Sequence, residues 1–423
     1  MIEKTIMLEG FSLVDTLEIT HEDSNVQFKG HKQSIPITYD LLSKHLLFTG
    51  AIGTGKTKAI FQLVSQIIDN MSQDDVIIIF DTKGDFREEF YTVGRDEIIS
   101  NDESATQYWN LTKEALIDDI SRRQESLLEI ANSLFEERIK NSSSPFFASA
   151  AKDIFYGIMT AFTRDNSECY NEKLKKIVVE GTSEEILKTL TEHSDLSGIT
   201  DYIRGKSSQS QGVISELRSV GMELFVGNFA KKGQFSIREF VRKKGGRVLY
   251  IEYDMAIGKV LTPIYKIMFD LAIKESLCRD KSEGNVYYVV DEFKLLPNLY
   301  HIDNGVNFGR SLGAKFILAM QNIEQISDSY GKELAHSILS GFSTLVSFRV
   351  HDKATRSYIK ELYGENRREI KYLSGRYGVK DATILGNVIE DWHISQLGIG
   401  EAIISLPGYP PVKFQFSEYK NKS

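Results

Sequence analysis

The sequence predicts an α/β fold: a mostly parallel sheet, interrupted by an all-helical insert and preceded by a small β-rich segment. Three observations predict it. Residues 45–68 read as a strand, a glycine-rich loop and a helix in succession. Predominantly apolar runs of strand length recur at 76–80, 247–251, 286–290, 314–320, 344–350 and 401–406, the pattern of strands covered on both faces in a parallel sheet. Between the second strand and the third, the apolar residues switch to helical spacing and strand candidates become few.

In chain order, residues 1–45 alternate apolar and polar in short pieces (7–19, 25–28, 35–39) broken by Gly10, Gly30 and Pro36, which reads as β structure. The strand at 45–49 leads through the glycine loop into a helix with Ile60, Leu63, Val64, Ile67 and Ile68 on one face. A second strand at 76–80 ends at Asp81. Helical segments are expected at 115–139, 146–162, 184–190 and 213–225, with Thr182 and Glu185 spaced as a capping box ahead of the third. The strand–helix rhythm then resumes, with a helix near 257–278. The expected division is a β-rich N-terminal segment (1–45), a nucleotide-binding domain in two pieces (46–113 and 235–423) and an all-helical inserted domain (114–234). No internal repeat of 20–50 residues is visible.

Composition bounds the function. The 423 residues are 41% hydrophobic and 26% charged, ordinary globular values that exclude collagen-like, disulfide-scaffold and disordered classes. A net charge of −8 provides no overall field for nucleic acid or anionic membrane, so any polyanion site is local. Cys169 and Cys278 are too few and too far apart for a metal cage or disulfide framework. No secretory leader and no apolar run of about 18 residues is present, so no membrane span is expected. Only 7 prolines occur, which argues against a proline-rich linker and for domains packed together.

The sharpest motif is GAIGTGKT at 50–57, which matches G-x-x-x-x-G-K-[ST] with a strand before it and a helix after it. Wrapping a triphosphate in backbone N–H groups at a helix N-terminus needs glycines that tolerate positive φ and let the chain approach the anion. Gly50, Gly53 and Gly55 supply that freedom, and Thr54 completes the loop. Lys56 would meet the β- and γ-phosphates, and the Thr57 hydroxyl would ligate Mg²⁺.

Such a site also needs a carboxylate at a neighbouring strand end, with a base or water-orienting group beside it. Asp291-Glu292 after 286–290 is favoured over Asp81, because adjacent acids divide the work: Asp291 toward magnesium, Glu292 toward the attacking water. Acids that merely end a strand are the plainer alternative. Gln321, after 314–320, reads either as a loop amide or as a group facing the γ-phosphate. Arg310, between those two strands, reads either as a surface ion-pair partner or as an arginine reaching a neighbouring subunit's nucleotide. Basic clusters lie at Lys231-Lys232, at Arg242, Lys243, Lys244 and Arg247, and at Arg367, Arg368, Lys371 and Arg376 with Tyr372 and Tyr377 interleaved. They suit either a solvated face or nucleic-acid contacts.

The order of these motifs resembles the conjugative type IV coupling proteins, the TraG/TraD/TrwB-like group of RecA-like DNA-pumping ATPases. The resemblance runs from about His45 to Gly364. It is carried by HLLFTG at 45–50, FDTKGD at 80–85, where the family has Asp-Pro-Lys-Gly-acid, YWNL at 108–111 and FSIREF at 235–240. Asp291-Glu-Phe293, Pro297-Asn-Leu299, Gly309-Arg310, Gln321 and Tyr330-Gly331 follow in order. The resemblance implies a RecA-like fold, ATP with Mg²⁺ at each subunit interface of a homo-hexameric ring, and an all-helical domain at one mouth. It further implies DNA, single- or double-stranded, in the central channel, with Arg310 as the interface arginine finger and Gln321 as the γ-phosphate sensor.

Family members usually begin with transmembrane helices, and none is expected here, so the chain is read as cytoplasmic, or peripheral at the inner membrane through partners. Those partners would be a relaxase or the secretion channel. Two rival readings are a HerA/FtsK-type motor working with a nuclease or effector in anti-phage defence, and a nucleotide-gated scaffold that does not translocate.

Overall fold

Predominantly apolar runs are best satisfied where both faces of a strand are covered, and they form the middle of the molecule. The computed structural model describes residues 2–19, 24–164, 169–278, 284–374 and 378–421. The central strands are β4 (Leu46–Thr49), β5 (Val76–Asp81), β8 (Val286–Val290), β9 (Ala314–Met320) and β10 (Thr344–Ser347), and every residue in them is buried. β6 (Glu97–Ile99), β7 (Arg247–Glu252), β13 (Glu401–Ser405) and β14 (Val412–Gln415) complete a nine-stranded sheet of order β14-β13-β10-β4-β9-β8-β5-β7-β6. It is parallel from β10 to β6, and β13 and β14 add an antiparallel edge. Phe48 lies opposite Ala319, Val290 opposite Leu318, and Phe80 opposite Val290. The carboxyl ends of β4, β9, β8 and β5 therefore share one edge, where α/β sheets bind ligands.

Two apolar clusters cover the sheet. One holds Phe48, Ile60, Leu63, Ile79, Val289 and Phe414. The helix α2 (Lys56–Asn70) supplies Ile60, Leu63, Val64 and Ile67 to it from one face. The other runs from Phe316, Tyr288 and Leu249 through the helix α11 (Gly258–Ser276) into Phe155, Phe135 and Leu127 of the helical region. The helical region and the sheet thus share one continuous core.

Between β6 and β7 the chain is helical: α4 (Leu111–Leu116), α5 (Ile120–Asn141), α6 (Pro145–Arg164), α7 (Asn171–Lys175), α8 (Ser183–Thr191), α9 (Ser208–Leu224) and α10 (Ile237–Lys243). Ahead of them lie α1 (Tyr39–Ser43) and α3 (Asp85–Phe90). The capping box forms as its spacing predicts: Glu185 Oε2 accepts the Thr182 N–H at 2.7 Å and Thr182 Oγ1 accepts the Glu185 N–H at 3.2 Å. The single helix expected at 115–139 is two. Asp119 caps α5 by accepting the Arg122 N–H at 3.0 Å, and Asp118 is drawn aside to Arg238.

That pull belongs to a buried ion cluster. Arg238 reaches Asp118 at 2.8 Å and Glu275 at 3.0 Å, and Arg242 meets the same two acids at 3.1 and 2.9 Å. The cluster ties the α4–α5 turn to α10 and α11. Arg238→Ala leaves two buried carboxylates short of a partner and is expected to cost about 3–5 kcal/mol of unfolding free energy, read by chemical denaturation.

A second buried acid sets a pH dependence. Asp270 on α11 accepts the His301 N–H at 3.1 Å, and burial raises its carboxyl from 3.8 to about 6. Between those values the folded chain holds a proton that the unfolded chain has lost, so this contribution to stability falls as pH rises through the window. Asp270→Asn is expected to stabilise the fold at pH 7.5 by up to about 3 kcal/mol, with the gain gone below pH 4.

The N-terminal region differs from its sequence pattern. β1 (Ile2–Glu9) occupies an earlier stretch than the expected 7–19, and Val14 makes only an isolated bridge to Val412. β2 (Gln27–Lys29) and β3 (Ser34–Pro36) form a short hairpin, and Thr38 turns the chain into α1 where a strand to 39 was expected. β1 pairs with β11 (Glu365–Ser374), which pairs in turn with β12 (Gly378–Asn387). That hairpin has no sequence forecast, because charges interrupt its apolar residues.

The basic clusters are largely engaged within the chain. Arg242, itself exposed, pairs with the buried Asp118 and Glu275, Lys243 pairs with Glu239, and Arg247 pairs with Glu97 and lies over Phe240. Lys231 and Lys232 cover the rings of Tyr108 and Tyr170. Arg367, Arg368 and Lys371 are on β11, whereas Arg376 and Tyr377 lie outside the described residues. Among the described residues no helix is long and apolar enough to cross a membrane.

Candidate active site

The glycine loop leaves β4 and enters α2 at the shared carboxyl edge. Gly55 is in the left-handed region (φ +105°), and a Cβ there would sit 3.1 Å from the Gly400 amide nitrogen. At Gly50 a Cβ would meet that of Phe348 at 2.6 Å. Two neighbours thus brace the loop. The Ala51 N–H donates to the Arg349 carbonyl at 2.8 Å on one side, and on the other the Gly400 N–H donates to the Thr54 carbonyl at 2.9 Å. Thr54 is buried, its hydroxyl turned inward to the Ala51 carbonyl at 2.8 Å.

Lys56 donates to the loop's own carbonyls, Gly50 at 2.5 Å and Ala51 at 3.1 Å. Burial lowers its pKa, opposed by the carboxylates of Asp291 and Glu292. The Thr57 hydroxyl donates to Asp291, 3.1 and 3.3 Å from its two oxygens. Burial raises the Asp291 carboxyl, and the Thr57 hydrogen bond and the Lys56 ammonium work against that rise. The two form a pair of hard oxygen donors. Among the described residues no group of three or more His, Cys, Asp or Glu is placed to hold an ion. A site with one or two protein oxygens suits Mg²⁺, which keeps most of its waters and takes other ligands from phosphate.

Beside Asp291, Glu292 accepts from the Gln321 amide at 2.8 Å through Oε2, while its Oε1 is buried without a hydrogen-bond partner. The Lys294 ammonium is 3.9 Å from that Oε1, too long for a hydrogen bond, so the oxygen keeps acceptor capacity at this edge. The competing acid, Asp81, is consumed locally: it accepts the N–H groups of Lys83, Gly84 and Arg87 at 3.4, 2.9 and 2.8 Å and so fastens the start of α3. Lys56, Thr57, Asp291, Glu292 and Gln321 are thereby brought together.

Arg310 is not among them. It lies in the turn Gly309–Leu312 ahead of β9, at the opposite edge of the sheet. The length of β9, roughly 20 Å, separates it from this chain's own loop. It is 55% exposed and donates to Asp40 at 2.7 Å.

Two further contributors stand at the site. Lys83 adds a second cation whose charge acts on both Lys56 and Asp291, and the FDTKGD motif already displayed it. The Gly400 brace had no local signal, because it touches the loop from the far end of the chain.

A family model for the type IV secretion-system coupling protein DNA-binding domain matches residues 30–407. The coupling protein TraD of Escherichia coli K12 is 22% identical over 395 residues, covering 90% of this chain and 53% of TraD. Protein VirD4 of Rhizobium rhizogenes is 21% identical over 298 residues, covering 66% of this chain and 44% of VirD4. The chain therefore spans about half the length of the curated relatives it matches. Among solved structures, the unbound bacterial conjugative coupling protein TrwBΔN70 superposes with a TM-score of 0.81 at 19% identity, covering 99% of this chain and 95% of that one. TrwB in complex with an ATP analogue gives 0.78 at 19% identity, over 100% and 97% of the two chains. TrwB with ADP and Mg²⁺ gives 0.75 at 18%, over 99% and 96%. These likenesses establish the RecA-like fold.

Proposed function

This chain belongs to the type IV secretion-system coupling protein family, and from that premise we propose that it is a Mg²⁺-dependent ATPase whose turnover moves DNA. The observation that carries the reading is the meeting of Thr57 with Asp291, and of Glu292 with Gln321, around the Lys56 ammonium at one sheet edge. In it, Lys56 exchanges the Gly50 and Ala51 carbonyls for β- and γ-phosphate oxygens, and Gly50, Gly53, Thr54 and Gly55 shape the backbone cradle. Thr57 and Asp291 would hold Mg²⁺, which would supply neutralisation of the phosphate charge. Glu292, steadied by Gln321, accepts a hydrogen bond from the attacking water through Oε1, which makes no hydrogen bond of its own. Arg310 serves the nucleotide of the next subunit, because its own lies across the sheet.

The same reading takes the chain as a homo-hexameric ring divided as 1–45, 46–113 with 235–423, and the helical 114–234. DNA would occupy the channel, and a relaxase or secretion channel would be the partner that brings the ring to the inner membrane.

The test is steady-state ATP hydrolysis with and without single- and double-stranded DNA, beside Lys56→Ala and a mass measurement. DNA-stimulated turnover in a higher oligomer, lost in the variant, supports the motor. Stoichiometric nucleotide binding without turnover on either DNA sinks it in favour of a nucleotide-gated scaffold.

A further inference from the structure

An arginine that acts across a subunit boundary has to be held in place before the neighbour's nucleotide arrives. A long side chain left free on a surface loses roughly an order of magnitude in effective rate to the cost of ordering it. Arg310 is half-exposed in a short turn, and on the finger reading it would face such a boundary.

Asp40 is the group that meets it. Its Oδ1 accepts from Arg310 Nη2 at 2.7 Å, and its other oxygen is 2.6 Å from the Lys44 ammonium. A lone surface ion pair has little worth, but Asp40 rides on a helix fastened to the core. The adjacent Tyr39 ring lies against the ammonium of Lys315, 3.2 Å from the ring centroid, and Lys315 is a buried residue of β9 whose Nζ has no hydrogen-bond partner. The Tyr39 hydroxyl donates to Asn285 at 2.9 Å, at the foot of β8, and Asn285 is held in turn by Asp75 at 2.6 Å. The opposite ends of β8 and β9 carry Glu292 and Gln321. One helix turn therefore anchors the arginine to the same two strands that hold this chain's own hydrolytic groups.

We infer that Asp40 is the positioning residue for Arg310, presenting its guanidinium, from an α1 pinned to β8 and β9, to the nucleotide of the neighbouring subunit. The inference rests on the finger reading of Arg310. Asp40→Asn is expected to lower turnover at saturating ATP about ten-fold, with KM and nucleotide affinity unchanged. Asp40→Glu restores most of the rate. In an Arg310→Ala background, Asp40→Asn changes nothing further, because what it positions is gone.

Labelled-phosphate release reads all four variants. Wild-type turnover in Arg310→Ala removes the finger reading and this inference with it. Normal or faster turnover in Asp40→Asn, with Arg310→Ala crippled, overturns this inference alone. So does a further ten-fold loss in the double variant, which would mean that Asp40 acts through something else.

Discussion

Arg310→Ala is expected to keep nucleotide binding and lose turnover by on the order of 10³-fold or more, the effect typical of an arginine that stabilises charge on a transferring phosphoryl group. The loss should fall almost wholly on kcat, since the guanidinium is across the sheet from this chain's own loop and cannot aid its ground-state binding. Mixing distinguishes trans from cis action. A Lys56→Ala subunit has a dead site and a live finger, and an Arg310→Ala subunit has the reverse. In a head-to-tail ring assembled at random from equal parts, about one interface in four joins a live site to a live finger, so turnover should return to roughly that share. A mixture as inactive as its components would mean that the arginine does not act across the interface.

Glu292→Gln is expected to bind ATP nearly as the natural chain does and to hydrolyse it about 10²- to 10⁴-fold more slowly, the range supplied by a positioned base. The amide keeps the shape but replaces one acceptor oxygen with a donor. It either turns that NH₂ toward the Gln321 amide, which now donates to Oε2 at 2.8 Å, or presents it where Oε1 awaits the water. Both arrangements spoil the orientation of water, while Lys56, Thr57 and Asp291 remain to hold nucleotide and metal. Single-turnover hydrolysis beside equilibrium binding separates the two effects. Equal losses in binding and rate would make Glu292 a structural acid.

Much of this was legible beforehand. The loop at 50–57 announced itself because a phosphate cradle needs glycines at set spacings, and such spacing is local. The central strands were readable because burial on both faces demands predominantly apolar runs, and the α8 capping box because its two hydrogen bonds span three residues. Less local features were not. The 115–139 pattern conceals a break, since Asp118 is diverted by Arg238 about 120 residues onward. The basic residues at 242–247 looked like a solvated or DNA-facing run, and ion pairs with Asp118, Glu275 and Glu97 turned two of them, Arg242 and Arg247, into internal ties.

The sequence by itself determined the fold class, the phosphate loop and the candidate acids, because periodicity, glycine spacing and strand-end position are written in neighbouring residues. Only the tertiary structure decided which acid faces the loop. Asp291 stands at Thr57, while Asp81 spends its oxygens on the N–H groups of Gly84 and Arg87 around the start of α3. It also decided that β1 joins a hairpin some 360 residues away, that Gly400 braces Gly55, and that Arg310 sits at the opposite end of β9 from this chain's own loop. The physical reason is common to all three. Pairing between distant segments is chosen by mutual burial and hydrogen-bond satisfaction over the whole chain, and no local pattern of residues encodes it.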